Sequence, residues 1–115
     1  MEMNELVKLQ RDFSAAHGWI WETNNEKETL ERLNFGTIAL IGECGEFANL
    51  VKKTLRDKSK LAELLPHIRE ELTDVMIYTM LLSVTLNADM ENELNAKMKK
   101  NEEKFKNFRK DGEKK

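Results

Sequence analysis

Helix-breaking residues are scarce in this chain, and that scarcity limits what it can fold into more than any other feature. Its 115 residues include one proline and five glycines, whereas Leu, Glu, Lys, Met and Ala are abundant. Such a composition favours helices over sheets. The sequence therefore predicts a single all-α domain and argues against a doubly wound sheet.

The spacing of apolar residues predicts four helices. The first runs from about Asn4 to Ala16, where Gly18 is placed to stop it, and the second runs from Asn25–Lys27 to about Arg56. The fourth covers roughly Met90 to Phe108, after a break at residues 87–89.

Pro66 sets the predicted start of the third helix, because proline favours the first helical turn. This helix is expected to run from about Pro66 to Leu86, after a separate turn or helical piece over residues 60–65. Residues 75–84 are apolar almost all round, and a domain of this size cannot easily cover every side of them. We therefore expect a four-helix bundle completed by oligomerisation, as a homodimer or homotetramer.

Several classes of protein are disfavoured. No segment reaches the roughly 18 apolar residues of a membrane span, and no apolar signal region follows Met1, so a cytoplasmic location is expected. The lone Cys44 has no disulfide partner and no zinc-ligand companions, and we interpret it as a helical packing residue.

Basic residues are concentrated at the end of the chain, where residues 97–115 carry nine Lys or Arg against four Asp or Glu. We interpret the last part as a solvated terminus and divide the chain into a domain over residues 1–108 and a basic tail over residues 109–115. Nucleic-acid binding by this end has no aromatic or motif support.

Two acidic doublets interrupt helices whose other residues are typical of a core. Glu43 and Glu46 lie in an apolar part of the second helix, and Glu71 and Asp74 lie in the third. Residues three apart on a helix share a face, so two packed helices would bring four carboxylates together. A divalent cation would offset their repulsion, and oxygen-only ligands suit Mg²⁺ or Mn²⁺ better than zinc. The alternative is an ordinary solvated helix face.

Gly42 and Gly45 flank the first of these carboxylates in mid-helix, where each glycine costs roughly 1 kcal/mol relative to alanine. A close approach to the backbone, by a neighbouring helix or by a ligand, would explain both.

The two motifs together resemble a known family. Residues 42–50 (GECGEFANL) and 70–78 (EELTDVMIY) are similar to the Glu-x-x-Glu and Glu-x-x-Asp signature of the MazG-like, all-α nucleoside triphosphate pyrophosphohydrolases. Downstream, Lys97, Asn101 and Lys104 resemble the basic run on the family's last helix. The resemblance covers about residues 5–106.

The resemblance implies hydrolysis of a nucleoside triphosphate to the monophosphate and pyrophosphate, as part of nucleotide-pool housecleaning. It implies that Glu43, Glu46, Glu71 and Asp74 hold Mg²⁺ and that one carboxylate of the first doublet, with Glu46 preferred, acts on the attacking water. Lys97, Asn101 and Lys104 lie on one stripe, which suits a polyphosphate.

Trp19 and Trp21 precede the second helix and could stack on a nucleobase, with His17 beside them. The other interpretation is that one or both tryptophans cap the hydrophobic core, and that His17 ends the first helix. Cytosine, uracil and modified purine deoxynucleotides all remain open as bases.

Two further functions compete with the enzyme. One is a non-catalytic helical bundle that binds a cation or a partner through its acidic cluster. The other is a di-iron carboxylate bundle, which normally needs Glu-x-x-His pairs that His17 and His67 do not provide.

Overall fold

The computed structural model describes residues 1–58 and 61–106, which form four helices and no strand. The helices are α1 (Met3–Ala16), α2 (Glu26–Arg56), α3 (Leu61–Thr85) and α4 (Met90–Phe105). The predicted all-α fold is confirmed. The predicted end of the fourth helix at Phe108 and the tail 109–115 lie outside the described residues. No helix within the described ranges is long and apolar enough to cross a membrane.

Gly18 at the end of α1 and Asn25 at the start of α2 adopt the conformations expected of residues that bound a helix. Gly18 adopts a φ of +92°, a left-handed conformation that glycine reaches without steric cost. Its N–H donates to Ala15 O at 3.1 Å, and the N–H of Trp19 donates to Ser14 O at 3.0 Å, which closes the end of α1. At the start of α2, the Asn25 side chain accepts a hydrogen bond from the N–H of Glu28 at 2.9 Å.

The predicted break at Pro66 is wrong, because α3 begins at Leu61 and continues through the proline. Pro66 lies in the second turn, where it has no N–H to donate to the carbonyl of Ala62 and its ring crowds that carbonyl. The packing of α3 against α2 compensates for this local loss. The helix ends before Asn87, whose φ of 53° is a left-handed conformation that asparagine tolerates.

The centre of the molecule is the antiparallel pair of α2 and α3, which share the largest interface; α1 packs against α3 and α4 packs against α1. Gly36 lets the two long helices approach closely, because a Cβ atom there would lie 2.5 Å from Leu82 Cδ2 and 3.0 Å from Trp21 Cζ3. Trp21, Leu81 and Leu82 form the buried core at this point.

A large apolar surface remains exposed outside this small core. On α2, Ile38, Ile41 and Leu55 are 63%, 69% and 81% exposed, and Leu72 and Met76 of α3 are about half exposed. The radius of gyration is 17.9 Å, against about 13 Å for a compact domain of this length. Cys44 is also exposed, so its predicted packing role is not fulfilled within the chain.

Candidate active site

The two acidic doublets lie on the paired helices, Glu43 and Glu46 on α2 and Glu71 and Asp74 on α3. Glu43, Glu71 and Asp74 are half-buried, and Glu46 is exposed. Glu43 lies on the same stripe of α2 as Gly36 and Leu40, which face α3. The helix pairing therefore places the two doublets at one shared face.

The carboxylates repel one another electrostatically. The pKa of Glu43 is raised by burial first and then by the charges of Glu46, Asp74 and Glu71. The pKa of Glu71 is also raised, by burial and then by Glu46, which comes within hydrogen-bonding reach of it; the charge of Asp74 adds to the shift and His67 partly offsets it. The carboxylates of the two doublets therefore lie near enough to each other to raise these two pKa values, and their role as metal ligands stays a prediction.

The donor chemistry of this face fits a hard divalent cation, because all four side chains offer carboxylate oxygens and their repulsion favours a positive counter-charge. As the side chains are arranged, however, no three acidic, histidine or cysteine residues in the described ranges converge closely enough to hold a metal ion. A shared cation would therefore require the side chains to turn towards each other.

The backbone on either side of Glu43 is open at Gly42 and Gly45. A Cβ atom at Gly42 or Gly45 would meet no other part of the described chain within 4 Å. The prediction of a close approach by a neighbouring helix is therefore not met by α1, α3 or α4. A ligand or a second copy of the chain remains as the explanation for these glycines.

An aromatic pocket of about 190 Å³ lies where α1 and the loop after it meet α2 and α3. It is lined by Ser14, Trp19, Trp21, Phe35, Tyr78 and Leu81. Tyr78 follows Asp74 by one helical turn and projects from the same side of α3. The pocket is smaller than the roughly 300–1,000 Å³ typical of sites that enclose a whole ligand, so it suits one ring of a larger molecule.

The two tryptophans have different roles in this pocket. Trp21 is 2% exposed, its Nε1 donates to Ser14 Oγ at 2.9 Å, and its carbonyl oxygen accepts a hydrogen bond from Thr85 Oγ1 at 2.7 Å. It therefore caps the core and offers no free face to a nucleobase, in contrast to the predicted base-binding role. Trp19 is 46% exposed and stacks on Phe35, with ring centroids 4.8 Å apart.

His17 ends α1, as the helix-end interpretation predicts. Its Nδ1 donates to Phe13 O at 2.8 Å, and its ring lies 4.4 Å from the Phe13 ring. The side chain is exposed and does not line the aromatic pocket. Nothing in this geometry directs His17 at a base.

The basic stripe lies on α4, with Lys97 and Lys104 exposed and Asn101 half-buried. Because α4 packs against α1, the described chain makes no extended contact between this stripe and the helix pair that carries the carboxylates. The predicted phosphate-binding residues and metal-binding residues are therefore not packed together within one chain.

Phe35 and Tyr78 were not singled out as site residues by sequence reasoning. Tyr78 carries a usable signal in the sequence, since it closes the second acidic motif, and Phe35 lies about two turns before Glu43 on α2. The contact of Phe35 with Trp19 depends on the path of the loop after α1, which no local pattern predicts.

This fold and this site define a class of helical proteins in which carboxylates from two adjacent helices meet at one face beside an aromatic pocket. The family model for the MazG nucleotide pyrophosphohydrolase domain matches residues 36–111, which is more than half of the chain. The chain belongs to that family.

One relative is the Gene 37 protein of Mycobacterium phage L5, which is 39% identical over 67 residues. The match covers 56% of this chain and 59% of the phage protein, so the chain spans less than two thirds of that relative's length. No solved structure is significantly similar to the chain. Enzymes of the MazG family are typically dependent on divalent metal ions.

Proposed function

We propose that this protein hydrolyses (deoxy)nucleoside triphosphates to the monophosphate and pyrophosphate in a Mg²⁺-dependent reaction. The observation that carries the proposal is the meeting of two acidic doublets on the α2–α3 pair, where burial and then the charges of the other carboxylates raise the pKa values of Glu43 and Glu71. Phosphoryl transfer needs charge neutralisation and in-line positioning more than a covalent nucleophile, and this face provides carboxylates for both tasks.

Glu43, Glu46, Glu71 and Asp74 would hold the cation, and Mn²⁺ could replace Mg²⁺. When bound, the cation neutralises charge on the phosphate oxygens. The protein's own part is to orient the attacking water and accept its proton. Glu46 is the best placed of the four for this task, because it is the most exposed and adjoins the open backbone at Gly45. Attack at phosphorus breaks the α–β phosphoanhydride bond, and pyrophosphate or the monophosphate leaves.

The aromatic pocket would receive the base. Trp19, Phe35 and Tyr78 supply the aromatic surface, and the pocket volume of about 190 Å³ leaves the sugar and phosphates outside. Tyr78 lies one turn from Asp74, so a base in the pocket would direct its phosphates along α3 towards the carboxylates. The aromatic surface suits the ring of any base, because every base can stack on it. Together with this reaction we propose a role in housecleaning of the nucleotide pool.

The polyphosphate would be held by Lys97, Asn101 and Lys104. Because these residues do not pack beside the carboxylates of their own chain, they would meet the carboxylates of a second copy of the chain. The apolar side chains Leu94 and Met98 are exposed on α4 beside the basic stripe, and exposed apolar residues also follow α2 and α3. Burying these surfaces together would place the basic stripe of α4 beside an acidic face. We therefore propose a homodimer or homotetramer as the active species.

The experiment is a panel of ribo- and deoxyribonucleoside triphosphates incubated with the purified protein and Mg²⁺, followed by measurement of pyrophosphate release. Glu43→Gln, Glu71→Gln and Asp74→Asn are expected to abolish release. The matched control is Glu70→Gln, because Glu70 is exposed, adjoins Glu71 and takes no part in the carboxylate interactions. Equal loss in Glu70→Gln and Glu71→Gln, or no release from any triphosphate, would contradict the proposal and favour a non-catalytic bundle.

A further inference from the structure

One cationic side chain near the site is not used by the chemistry proposed above. The guanidinium carbon of Arg32, on α2, lies 5.5 Å from the Trp19 ring centroid and 5.6 Å from the Trp21 ring centroid. Both distances are within the range of cation–π attraction. Arg32 therefore contacts both indoles of the loop that joins α1 to α2.

Arg32 has few other partners. Its Nε is buried and meets no hydrogen-bond acceptor, and among the described residues no carboxylate forms an ion pair with it. Three glutamates nevertheless line the same 490 Å³ cavity as Arg32, namely Glu22, Glu28 and Glu31. A buried donor left without an acceptor is costly, so the indole contacts are the interactions that account for the position of this side chain.

The arrangement has a direct effect on Trp19. Phe35 follows Arg32 by three residues, so α2 presents the guanidinium and the phenyl ring side by side. Trp19 stacks on the phenyl ring at 4.8 Å and contacts the guanidinium as well. Trp21 is fixed independently by its hydrogen bonds to Ser14 and Thr85, and so provides a rigid support that Arg32 also contacts.

We propose that Arg32 is a positioning residue that fixes Trp19 against Phe35 and thereby maintains the wall of the aromatic pocket that receives the base. This inference rests on the proposed function, because it assigns to Arg32 a role in nucleotide binding. Arg32 acts through Trp19 and contacts neither the phosphates nor the carboxylates. Its loss should weaken recognition of the base without slowing the chemical step.

The first test needs no nucleotide. The chain has two tryptophans, and Trp21 is 2% exposed, so collisional quenching of fluorescence by acrylamide reports on Trp19. Arg32→Met, which keeps the aliphatic stem and removes the charge, is expected to increase the quenching constant. Arg32→Lys, which keeps a cation, should restore it towards wild type. Lys27→Met removes an exposed cation from the same helix and should change nothing.

The second test is kinetic. With the best substrate of the panel, Arg32→Met should raise KM about three- to thirtyfold, the range that one cation–π contact can supply, with kcat within about twofold. The inhibition constant of inorganic tripolyphosphate, which has no base, should stay unchanged. Arg32→Gln, which also removes the charge, should raise KM in the wild-type background and have no further effect on KM in a Trp19→Leu background, so the inference stays testable if Arg32→Met does not fold.

The outcomes separate this inference from the proposed function. An inactive wild-type protein would refute the proposed function. An active wild-type protein whose quenching and KM are unchanged by the Arg32 substitutions would refute the positioning role alone. Equal losses for the base-bearing substrate and for tripolyphosphate would show a general structural role and would also overturn the inference.

Discussion

Replacing Gly36 by alanine should destabilise the protein, although alanine is the better helix former. The added Cβ would lie 2.5 Å from Leu82 Cδ2, 3.0 Å from Trp21 Cζ3 and 3.2 Å from Leu82 Cγ. Overpacking of this kind costs about 1–3 kcal/mol, and the gain in helix propensity offsets roughly 1 kcal/mol of it. The expected net loss in the free energy of unfolding is therefore about 0–2 kcal/mol.

The matched control is Gly42→Ala, in the same helix, where the new methyl group meets no described atom within 4 Å. At a protein concentration at which the chain is monomeric, this variant should gain up to about 1 kcal/mol from helix propensity, so the two variants should differ by about 1–3 kcal/mol. Urea unfolding followed by far-UV circular dichroism, at one fixed protein concentration, measures the difference.

Leu82 provides a second check, because it supplies the closest contact. Leu82→Ala alone should cost about 2–5 kcal/mol, and in that background Gly36→Ala should lose most of its penalty. If Gly36→Ala and Gly42→Ala had equal free energies of unfolding, and Leu82→Ala did not alter the effect of Gly36→Ala, the close approach of α2 and α3 at this point would be refuted.

Three further predictions follow from other parts of the fold. Pro66→Ala should stabilise the protein by about 1–3 kcal/mol, since it restores an N–H inside a continuous α3; a helix that started at the proline would instead gain nothing, and thermal unfolding distinguishes the two. Thr85→Val should cost about 1–3 kcal/mol, because it leaves the buried carbonyl of Trp21 without its donor, whereas the exposed Thr79→Val should have little effect in the same denaturation assay. With divalent cations removed by a chelator, the melting temperature should rise as the pH falls from 7 towards 5. The folded state binds protons at Glu43 and Glu71 more tightly than the unfolded state does, because folding raises their pKa values above the usual 4.5. The penalty of charging these groups is present above the folded-state pKa and is relieved as the pH falls below it. Glu71→Gln should therefore reduce the rise in melting temperature. An equal rise in that variant would contradict the raised pKa of Glu71.

The ends of α1 and α2 could be predicted because they depend on local chemistry. The chain adopts a left-handed backbone conformation at Gly18, which glycine favours, and the Asn25 side chain accepts a hydrogen bond from the N–H group three residues ahead. Both interactions are local and do not depend on tertiary packing. The predicted helix start at Pro66 was wrong because the preference of proline for the first helical turn is local, and the packing of α3 against α2 outweighed it.

The acidic doublets could also be predicted as a cluster, because residues three apart share a helix face and the two helices are adjacent along the chain. The aromatic pocket could not, since Trp19 meets Phe35 only through the path of the loop between α1 and α2. The position of α4 depends on tertiary contacts as well, and so the separation of Lys97 and Lys104 from the acidic face within one chain has no signature in the sequence.

The most direct test of the central claim is to identify the products that the protein forms from a nucleoside triphosphate. The protein is incubated with Mg²⁺ and its best substrate, and the products are separated by ion-exchange chromatography or resolved by phosphorus NMR. We predict equal amounts of nucleoside monophosphate and pyrophosphate, with none formed by Asp74→Asn. Nucleoside diphosphate with orthophosphate, or identical products from Asp74→Asn, would contradict the account of the carboxylate face as a site that cleaves between the α- and β-phosphates.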